Sequence, residues 1–388
     1  MATAAGTRGI TEDTITFGQI ACFTGPADHW GIRYRAGIEA AFREQNEYGG
    51  VADRLLKLIS FDDAYEPARS GEAAARMLAE DDVFIVVGGT GTPTAKRLAP
   101  ILLRAEVPFV GILSGAGFLR NFARYPNVVN LRASYYEEVE ALVNYMVREL
   151  GARRFGVVYQ EDEYGRSALR AYQSVLAQHG LFVMAKSTYT RNTHAVHSSL
   201  FTFGKADLDA VLLAGSVAAS ANAINLSASF GHNYILAILT FVSSHDLHER
   251  LDTARLARIL VSEIVPDPAD ATLEIVRSFR SAISGAEQLY EIRGGLIDLK
   301  DTHAQYTMVL EEDSVALEGY IIGRFVIDVL HRLDGNLTRK AFLAEALKPD
   351  AVNIDDWRIA IKAGTNAGTS FVRLINLAGE TLSIEGLQ

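Results

Sequence analysis

The stretch that decides the fold reads ITFGQIACFTGPADHWG and covers residues 15–31. Its first half alternates apolar and polar residues, which predicts a β-strand, and a Gly25-Pro26 turn then leads into an amphipathic helix. A strand that runs directly into a helix is typical of an α/β lobe. Thr24 and Asp28–Trp30 follow the carboxyl end of this strand, where open parallel sheets place their ligands. We therefore expect this loop to form one wall of a site.

The same alternation of strand and helix continues along the chain and predicts a mostly parallel, doubly wound sheet. Further strands are predicted at Leu55–Phe61, Val83–Val87, Val107–Ile112, Phe155–Tyr159, Leu181–Ser187, Ala210–Ala214 and Ile235–Thr240. Helices are predicted at Ile32–Glu47, Pro67–Glu80, Thr94–Ala105, Tyr136–Leu150, Gly165–His179 and Val217–Phe230. Because the series restarts near Tyr136, the pattern indicates two similar lobes. A length of 388 residues also favours two hydrophobic cores over one.

The remainder of the chain has a different pattern. Residues 265–270 form a connector that contains two prolines, and a helix-rich tract follows it with an apolar helix at Val315–Leu330. After Leu347 the pattern is strand-like again. The predicted strands there are Trp357–Lys362, Ser370–Asn376 and Thr381–Ile384.

Composition excludes several classes of function. The net charge of −10 and the lack of a basic patch argue against nucleic acid and against an anionic membrane surface. The single cysteine, Cys22, excludes an intrachain disulfide. No apolar run approaches the roughly 20 residues of a membrane span, and residues 1–7 lack the regions of a signal peptide. These features fit a cytosolic protein or a mature exported one whose leader is absent from this chain.

No catalytic constellation stands out, so we expect a binding protein rather than an enzyme, with no cofactor and no metal. The glycine-rich Gly88–Thr92 segment matches neither nucleotide-binding fingerprint. His194 and His197 have no third ligand nearby, and the strand position of Cys22 predicts an inert thiol. No G-x-S-x-G elbow occurs.

Four ordered stretches carry a resemblance to a known family. They are residues 15–31, 58–67, 83–94 with 107–121, and 156–165. Together they resemble the type I periplasmic solute-binding proteins of the leucine/isoleucine/valine-binding group, with matching order and spacing over about residues 12–335.

The resemblance implies two doubly wound α/β lobes joined by a three-crossing hinge that closes on a ligand. The first lobe is then expected to comprise residues 1–131 and 265–347, and the second residues 132–264 and 348–388. It also implies a mature periplasmic monomer that delivers a small organic ligand to the membrane permease subunits of an ABC transporter.

In the first lobe, the resemblance implies ligand contacts from the turns after the fourth and fifth strands. The candidates there are Thr90, Thr92, Ser114, Ala116 and Phe118. Backbone amides at the helix starts, together with the hydroxyl groups, could hold a carboxylate or another acceptor. Alternatively, Thr92 and Ser114 only cap the helices that follow them.

In the second lobe, the resemblance implies that Tyr164 covers the ligand and that Gly215 and Ser216 line the site. Tyr164 could instead be a surface residue that begins a helix. The weaker candidates are Trp30, Asn192, Glu318 and Tyr320. Trp30 could instead staple its helix to the core, and Asn192 could be an ordinary loop residue. Glu318 and Tyr320 could instead pack in the core.

The stretch at Val242-Ser243 departs from the family, because amino-acid binders usually present an acid there for the ligand ammonium. An unpaired ammonium in a closed site is costly, so we expect a neutral or largely apolar ligand, with Ser243 as a contact. An aromatic acid, an amide and a lipid or sterol-like molecule all fit small and apolar walls. The alternatives are an amino-acid binder, a ligand-controlled regulator and, remotely, a hydrolase.

Overall fold

The computed structural model describes residues 7–203, 206–242, 244–248, 250–251, 256–284, 290–293, 295–297, 310 and 313–383. Within them the chain forms two units. The first unit contains the residues up to Ser114, Phe118–Arg132 and Asp267–Thr369. The second contains Gly115–Gly117, Ala133–Pro266 and the residues from Ser370 onward.

The first unit is built on a seven-stranded sheet with β1 near its centre, in the order β12-β11-β2-β1-β3-β4-β5. Its strands are β1 (Thr14–Ala21), β2 (Leu55–Asp62), β3 (Val86–Val87), β4 (Phe109–Val110), β5 (Val128–Val129), β11 (Tyr290–Arg293) and β12 (Gly295–Ile297). All neighbours pair in parallel except β11 with β12. Its helices are α1 (Asp28–Glu47), α2 (Pro67–Glu80), α3 (Thr92–Arg104), α9 (Glu274–Ile283), α10 (Ser314–Arg332) and α11 (Arg339–Ala346). A separate hairpin pairs β13 (Ala351–Ile354) with β14 (Trp357–Ala360).

The second unit repeats this design with the strand order β16-β15-β10-β9-β8-β6-β7. Its strands are β6 (Phe155–Gln160), β7 (Val183–Tyr189), β8 (Ala210–Ala214), β9 (Ile235–Ile238), β10 (Ile259–Glu263), β15 (Arg373–Asn376) and β16 (Thr381–Leu382). Strands β6 to β10 are parallel, and β15 and β16 are added antiparallel. Its helices are α4 (Tyr135–Arg148), α5 (Glu163–Gln178), α6 (His197–Phe203), α7 (Val217–Ser229) and α8 (Ser244–His248). The predicted doubly wound α/β class is confirmed.

Apart from shifts of one or two residues near Arg132 and Pro266, the division of the chain differs from the expected one in two places. Residues 348–369, which we expected in the second lobe, belong to the first unit, because the β13–β14 hairpin packs against α10 there. The short Gly115–Gly117 segment groups with the second unit. The backbone N–H of Tyr135 donates to the Gly115 carbonyl at 2.8 Å, which fastens this segment to the start of α4.

Close backbone contacts position α1. A Cβ atom on Gly31 would lie 1.9 Å from the Cys22 carbonyl oxygen, and one on Gly37 would lie 1.9 Å from that of Ala316 in α10. A Cβ atom on Gly319 of α10 would lie 2.2 Å from the Tyr34 carbonyl oxygen. Glycine at these positions therefore allows α1 to pack directly on the end of β1 and on α10.

Among the described residues, no helix combines the length and apolar character needed to cross a membrane. Nor do these residues contain a group of three or more histidine, cysteine or acidic side chains that could hold a metal ion.

We predict that Gly37→Ala destabilises the first unit by at least about 2 kcal/mol, because the new methyl group must push two helix backbones apart. Gly71→Ala in α2 is the matched control, since a Cβ there meets only the end of the exposed Arg97 side chain. It should be neutral or stabilising by about 0.5–1 kcal/mol. Urea unfolding measures both variants, and equal effects would contradict the packing argument.

Candidate functional site

In the first unit, a buried polar cluster lies where β1, β3 and β4 end. The Thr90 hydroxyl accepts a hydrogen bond from the Cys22 backbone N–H at 2.9 Å and lies 3.1 Å from the Cys22 Sγ. The thiol also donates to the Ala27 carbonyl at 2.9 Å. Burial, with a smaller contribution from the Asp63 charge, raises the pKa of Cys22 far above its usual range. The thiol therefore stays protonated and is no nucleophile.

Thr92 and Ser114 meet directly in this cluster. Both side chains are fully buried, and their hydroxyl oxygens are 2.8 Å apart. The N-cap position of α3 is Gly91, and Thr92 is the first residue of the helix. Thr92 therefore does not act as the N-cap. The pair ties the start of α3 to the turn after β4.

The loop after β1 is held in place by Asp62, at the end of β2. One carboxylate oxygen accepts the backbone N–H groups of Phe23 and Thr24 at 2.9 and 3.1 Å, and the other accepts the Thr24 hydroxyl at 2.6 Å. Tyr65 follows with a positive φ of 62°, and its ring fills the space where a Gly91 side chain would stand. This part of the first unit's face is consequently well ordered by hydrogen bonds.

Asp63 lies beside this loop and is fully buried. Its carboxyl group accepts the Tyr65 backbone N–H and the Ser70 hydroxyl, both at 2.8 Å. Burial outweighs these hydrogen bonds and raises the pKa of Asp63 to about 7.

The other first-unit candidates are spread more widely. Trp30 is buried in the first turn of α1, with its ring 5.3 Å from that of His29. Phe118 is partly buried in a short 3-10 turn, its ring 6.4 Å from that of Tyr125. Ala116 is fully buried but groups with the second unit.

Glu318 and Tyr320 both lie in α10 but contact different neighbours. The Glu318 carboxylate lies 3.6 Å from the Nε of Arg132, and both side chains are almost completely buried. This ion pair joins α10 to Arg132, the residue at which the chain leaves the first unit. A ligand contact by Glu318 stays a prediction.

Tyr320 does not lie at the strand ends. Its hydroxyl donates to Glu44 at 2.8 Å and accepts from Arg324 at 2.6 Å. Glu44 is in the last turn of α1, at the opposite end of that helix from Trp30. Tyr320 thus packs between α1 and α10, away from the strand ends, and its role as a ligand contact stays a prediction.

In the second unit, Tyr164 lies at the centre of an aromatic cluster. Asp162 caps α5 by accepting the backbone N–H groups of Tyr164 and Gly165 at 2.9 and 3.2 Å. The Tyr164 ring is fully buried, 5.4 Å from that of Tyr135 and 4.7 Å from that of Phe241. The alternative of an exposed residue at a helix start is therefore excluded.

Gly215 and Ser216 come together through Tyr189, at the end of β7. The Tyr189 hydroxyl accepts the Ser216 backbone N–H at 2.9 Å and donates to the Gln160 side chain at 3.2 Å. A Cβ atom on Gly215 would lie 2.7 Å from the Tyr189 hydroxyl oxygen, which explains the glycine. The sequence analysis did not select Tyr189, although an aromatic residue at the end of a strand could have indicated it.

Sequence reasoning also missed Glu138. This residue lies in the first turn of α4 and is fully buried. One carboxylate oxygen accepts the Thr240 backbone N–H and the Ser262 hydroxyl, both at 2.8 Å. The acidic group at the ends of β9 and β10 therefore comes from α4. The family pattern suggested an acid in the stretch near Val242 instead.

Two candidates do not join these groups. Asn192 is partly buried in the turn after β7 and has a φ of 59°, as is common for asparagine in such turns. Ser243 lies outside the described residues.

Comparison with known proteins shows what this chain is similar to. The family model for periplasmic binding proteins matches residues 14–295. The Leu/Ile/Val-binding protein BraC3 of Rhizobium johnstonii is 26% identical over 176 residues, which is 45% of this chain and 47% of that protein. The chain thus matches about half the length of this curated relative.

Solved structures match over almost the whole chain. A possible leucine/isoleucine/valine-binding protein from Rhodopirellula baltica SH 1 has 26% identity and a TM-score of 0.82, with 98% of both chains covered. A substrate-binding periplasmic protein from Ralstonia solanacearum has 19% identity and a TM-score of 0.81, with 95% of this chain and 99% of that chain covered. The resemblance found in the sequence is confirmed.

We predict that Asp63→Asn removes a pH-dependent loss of stability. Between the usual carboxyl pKa of 3.8 and about 7, the folded protein keeps a proton that the unfolded chain has released. Rising pH therefore favours unfolding of the natural protein, by up to about 4 kcal/mol across this window.

Urea unfolding at pH 4 and pH 8 measures this effect as the stability difference between Asp63→Asn and the natural protein. The difference should move in favour of the variant as pH rises. Asp82→Asn, the same substitution on an exposed side chain, is the control. A difference for Asp63→Asn that stays constant with pH would contradict the assignment.

We also predict that Tyr189→Phe destabilises the second unit by about 1–3 kcal/mol, because Ser216 loses the acceptor for its backbone N–H. Tyr172→Phe is the control, since the Tyr172 hydroxyl is buried without a hydrogen-bond partner. Thermal unfolding should separate the two variants, and an equal change in both would show that the Tyr189 bridge contributes nothing.

Proposed function

Because the chain belongs to the periplasmic binding protein family, we propose that it captures a small organic solute and delivers it to the membrane permease subunits of a transporter. Ligand contacts would come from the carboxyl ends of parallel strands, the edge at which open α/β sheets bind ligands. The observation that carries the proposal is the buried cluster of Tyr135, Tyr164 and Phe241 at that edge of the second unit. The proposal places the mature protein in the periplasm as a monomer.

A neutral or largely apolar ligand is our first choice. Aromatic rings provide large apolar contact areas at low entropic cost, and a hydroxyl group on such a ring adds direction. The curated relative named above is a Leu/Ile/Val-binding protein, and the buried carboxylate of Glu138 offers an acid to a ligand ammonium. An amino-acid ligand is therefore the second candidate.

The proposal assigns the protein a binding role without catalysis. A protonated Cys22 thiol is a poor nucleophile, and the Thr92 and Ser114 hydroxyl groups lie 2.8 Å from each other. A regulator with the same fold would bind the same ligand and differ in its partner. Pull-down with the permease subunits distinguishes transport from regulation.

We predict that the purified protein is stabilised by neutral, largely apolar solutes and not by branched-chain amino acids. A ligand that binds only the folded state stabilises it by about 2.7 kcal/mol at a concentration of 100 times its Kd. Native mass spectrometry and organic extraction detect a co-purified compound, and a thermal-shift screen of both solute classes measures the stabilisation. Protein unfolded, washed and refolded without ligand is the control.

The outcomes separate the candidates. Stabilisation by leucine, isoleucine or valine alone would establish the amino-acid alternative. A protein that carries no compound and is stabilised by no solute in the screen would contradict the capture of a small organic molecule.

A further inference from the structure

Among the described residues of the second unit, several buried polar atoms have no hydrogen-bond partner, and two of them lie beside the ring cluster of Tyr135, Tyr164 and Phe241. They are the hydroxyl oxygen of Tyr164 and the Oε1 atom of Glu138, and both residues are 0% exposed. Buried polar groups are nearly always hydrogen-bonded, so each such atom requires an explanation. Leaving one unpaired costs the desolvation of that group.

Both atoms belong to the same neighbourhood at the carboxyl ends of the strands. The second oxygen of Glu138 is fixed by Thr240 and Ser262, which leaves Oε1 as its remaining acceptor. Phe241, the residue after Thr240, packs its ring 4.7 Å from the ring of Tyr164. Burial raises the pKa of the Tyr164 hydroxyl, and the Glu138 charge is among the smaller contributions that raise it further. Tyr135, whose ring lies 5.4 Å from that of Tyr164, is one turn before Glu138 in α4, so the two groups lie in the same part of the second unit.

The two atoms have complementary requirements. A carboxylate oxygen only accepts hydrogen bonds, whereas a tyrosine hydroxyl must place one proton and can also accept. A ligand group that both donates and accepts satisfies Glu138 and Tyr164 together. An ammonium as the only polar group of a ligand has donors only, so it would leave the Tyr164 proton without an acceptor. An amino acid would supply an ammonium and a carboxylate together, and the screen with branched-chain amino acids tests that case. A ligand carboxylate would accept from Tyr164 but would bring a second negative charge towards Glu138.

We propose that the solute carries a neutral head that both donates and accepts, a hydroxyl or a carboxamide, which donates to Glu138 and accepts from Tyr164. This inference rests on the proposed function and names its ligand class. The rings of Tyr135 and Phe241 on either side of Tyr164 fit an apolar body behind that head. Glu138 and Tyr164 are then the residues that determine specificity.

The experiment uses probes that differ only in the head group. Phenylpropanol, phenylpropanamide, phenylpropylamine and phenylpropanoate form one set, and the same four heads on an octyl and on a decalin body form two more. Thermal shift ranks the probes, and isothermal titration calorimetry measures affinity. On at least one body, the alcohol or the amide should bind about tenfold more tightly than the amine and the carboxylate. Comparing the alcohol with the amide identifies which neutral head is preferred.

Two variants test the assigned residues. Tyr164→Phe removes only the hydroxyl, so affinity for the preferred probe should fall about tenfold while stability of the free protein stays equal or rises. Glu138→Gln replaces the unpaired acceptor with an amide donor and removes the negative charge. The affinity for the carboxylate probe should therefore rise relative to that for the alcohol and the amide. Tyr172→Phe removes an equally buried and unpartnered hydroxyl, two turns further along α5 and beside Phe155, and should leave affinity unchanged.

The outcomes distinguish this inference from the proposed function. Preference for the amine or the carboxylate, or equal affinities in Tyr164→Phe and Tyr172→Phe, would overturn the inference while solute binding stands. Solute binding in the wider screen without binding of any alcohol or amide probe would also overturn it. A protein that binds no solute at all would overturn both.

Discussion

Direct backbone contact around α1 is the constraint on which the first unit depends. Gly31 lets the start of α1 pack on the Cys22 carbonyl, and Gly37 and Gly319 let the same helix meet α10 without side chains between them. These contacts fix the direction in which the chain leaves β1. The position of the loop that Asp62 holds, and of Cys22 beneath Thr90, follows from that direction. The close packing that these glycines allow therefore determines where the polar contacts at this end of the sheet form.

The two units treat the polar groups at their strand ends differently. In the first unit the hydroxyls pair within the protein, as Thr92 does with Ser114 and Thr90 with Cys22. In the second unit Tyr189 is similarly satisfied, but Tyr164 and Glu138 each keep one atom without a partner. Unsatisfied buried groups oppose folding, and a bound ligand can complete their hydrogen bonds. The proposed solute would do so for Tyr164 and Glu138.

Much of the fold could be predicted from the sequence, because hydrophobic periodicity is a local property. Helix α2 and strand β8 match their predicted bounds, and β2 extends one residue beyond its own. The two-residue strand β5 is too short to show a period, and the β13–β14 hairpin contains no signal that says which unit it joins. The sequence therefore places residues 348–369 in the second lobe, whereas they group with the first unit, against α10.

The candidate site was less predictable, because it depends on which side chains meet in three dimensions. Glu318 and Tyr320 are two residues apart on one helix and therefore point in different directions, which a stretch of sequence does not reveal. The adjacent residues Glu137 and Glu138 also have different partners. Glu137 completes the capping box of α4 with Ser134. Glu138 accepts hydrogen bonds from Thr240 and Ser262. Only a capping pattern is visible in the sequence.

The position of Glu138 also changes the argument about the ligand's charge. The sequence lacks an acid near Val242, and from that absence alone a neutral ligand follows. The structure supplies a carboxylate from α4, so absence of an acid no longer excludes an ammonium. What favours a neutral head over a lone ammonium is the combination of an unpaired acceptor on Glu138 with a hydroxyl on Tyr164 whose proton needs a partner. In the proposed site, specificity would then depend on the pairing of donors with acceptors as well as on charge.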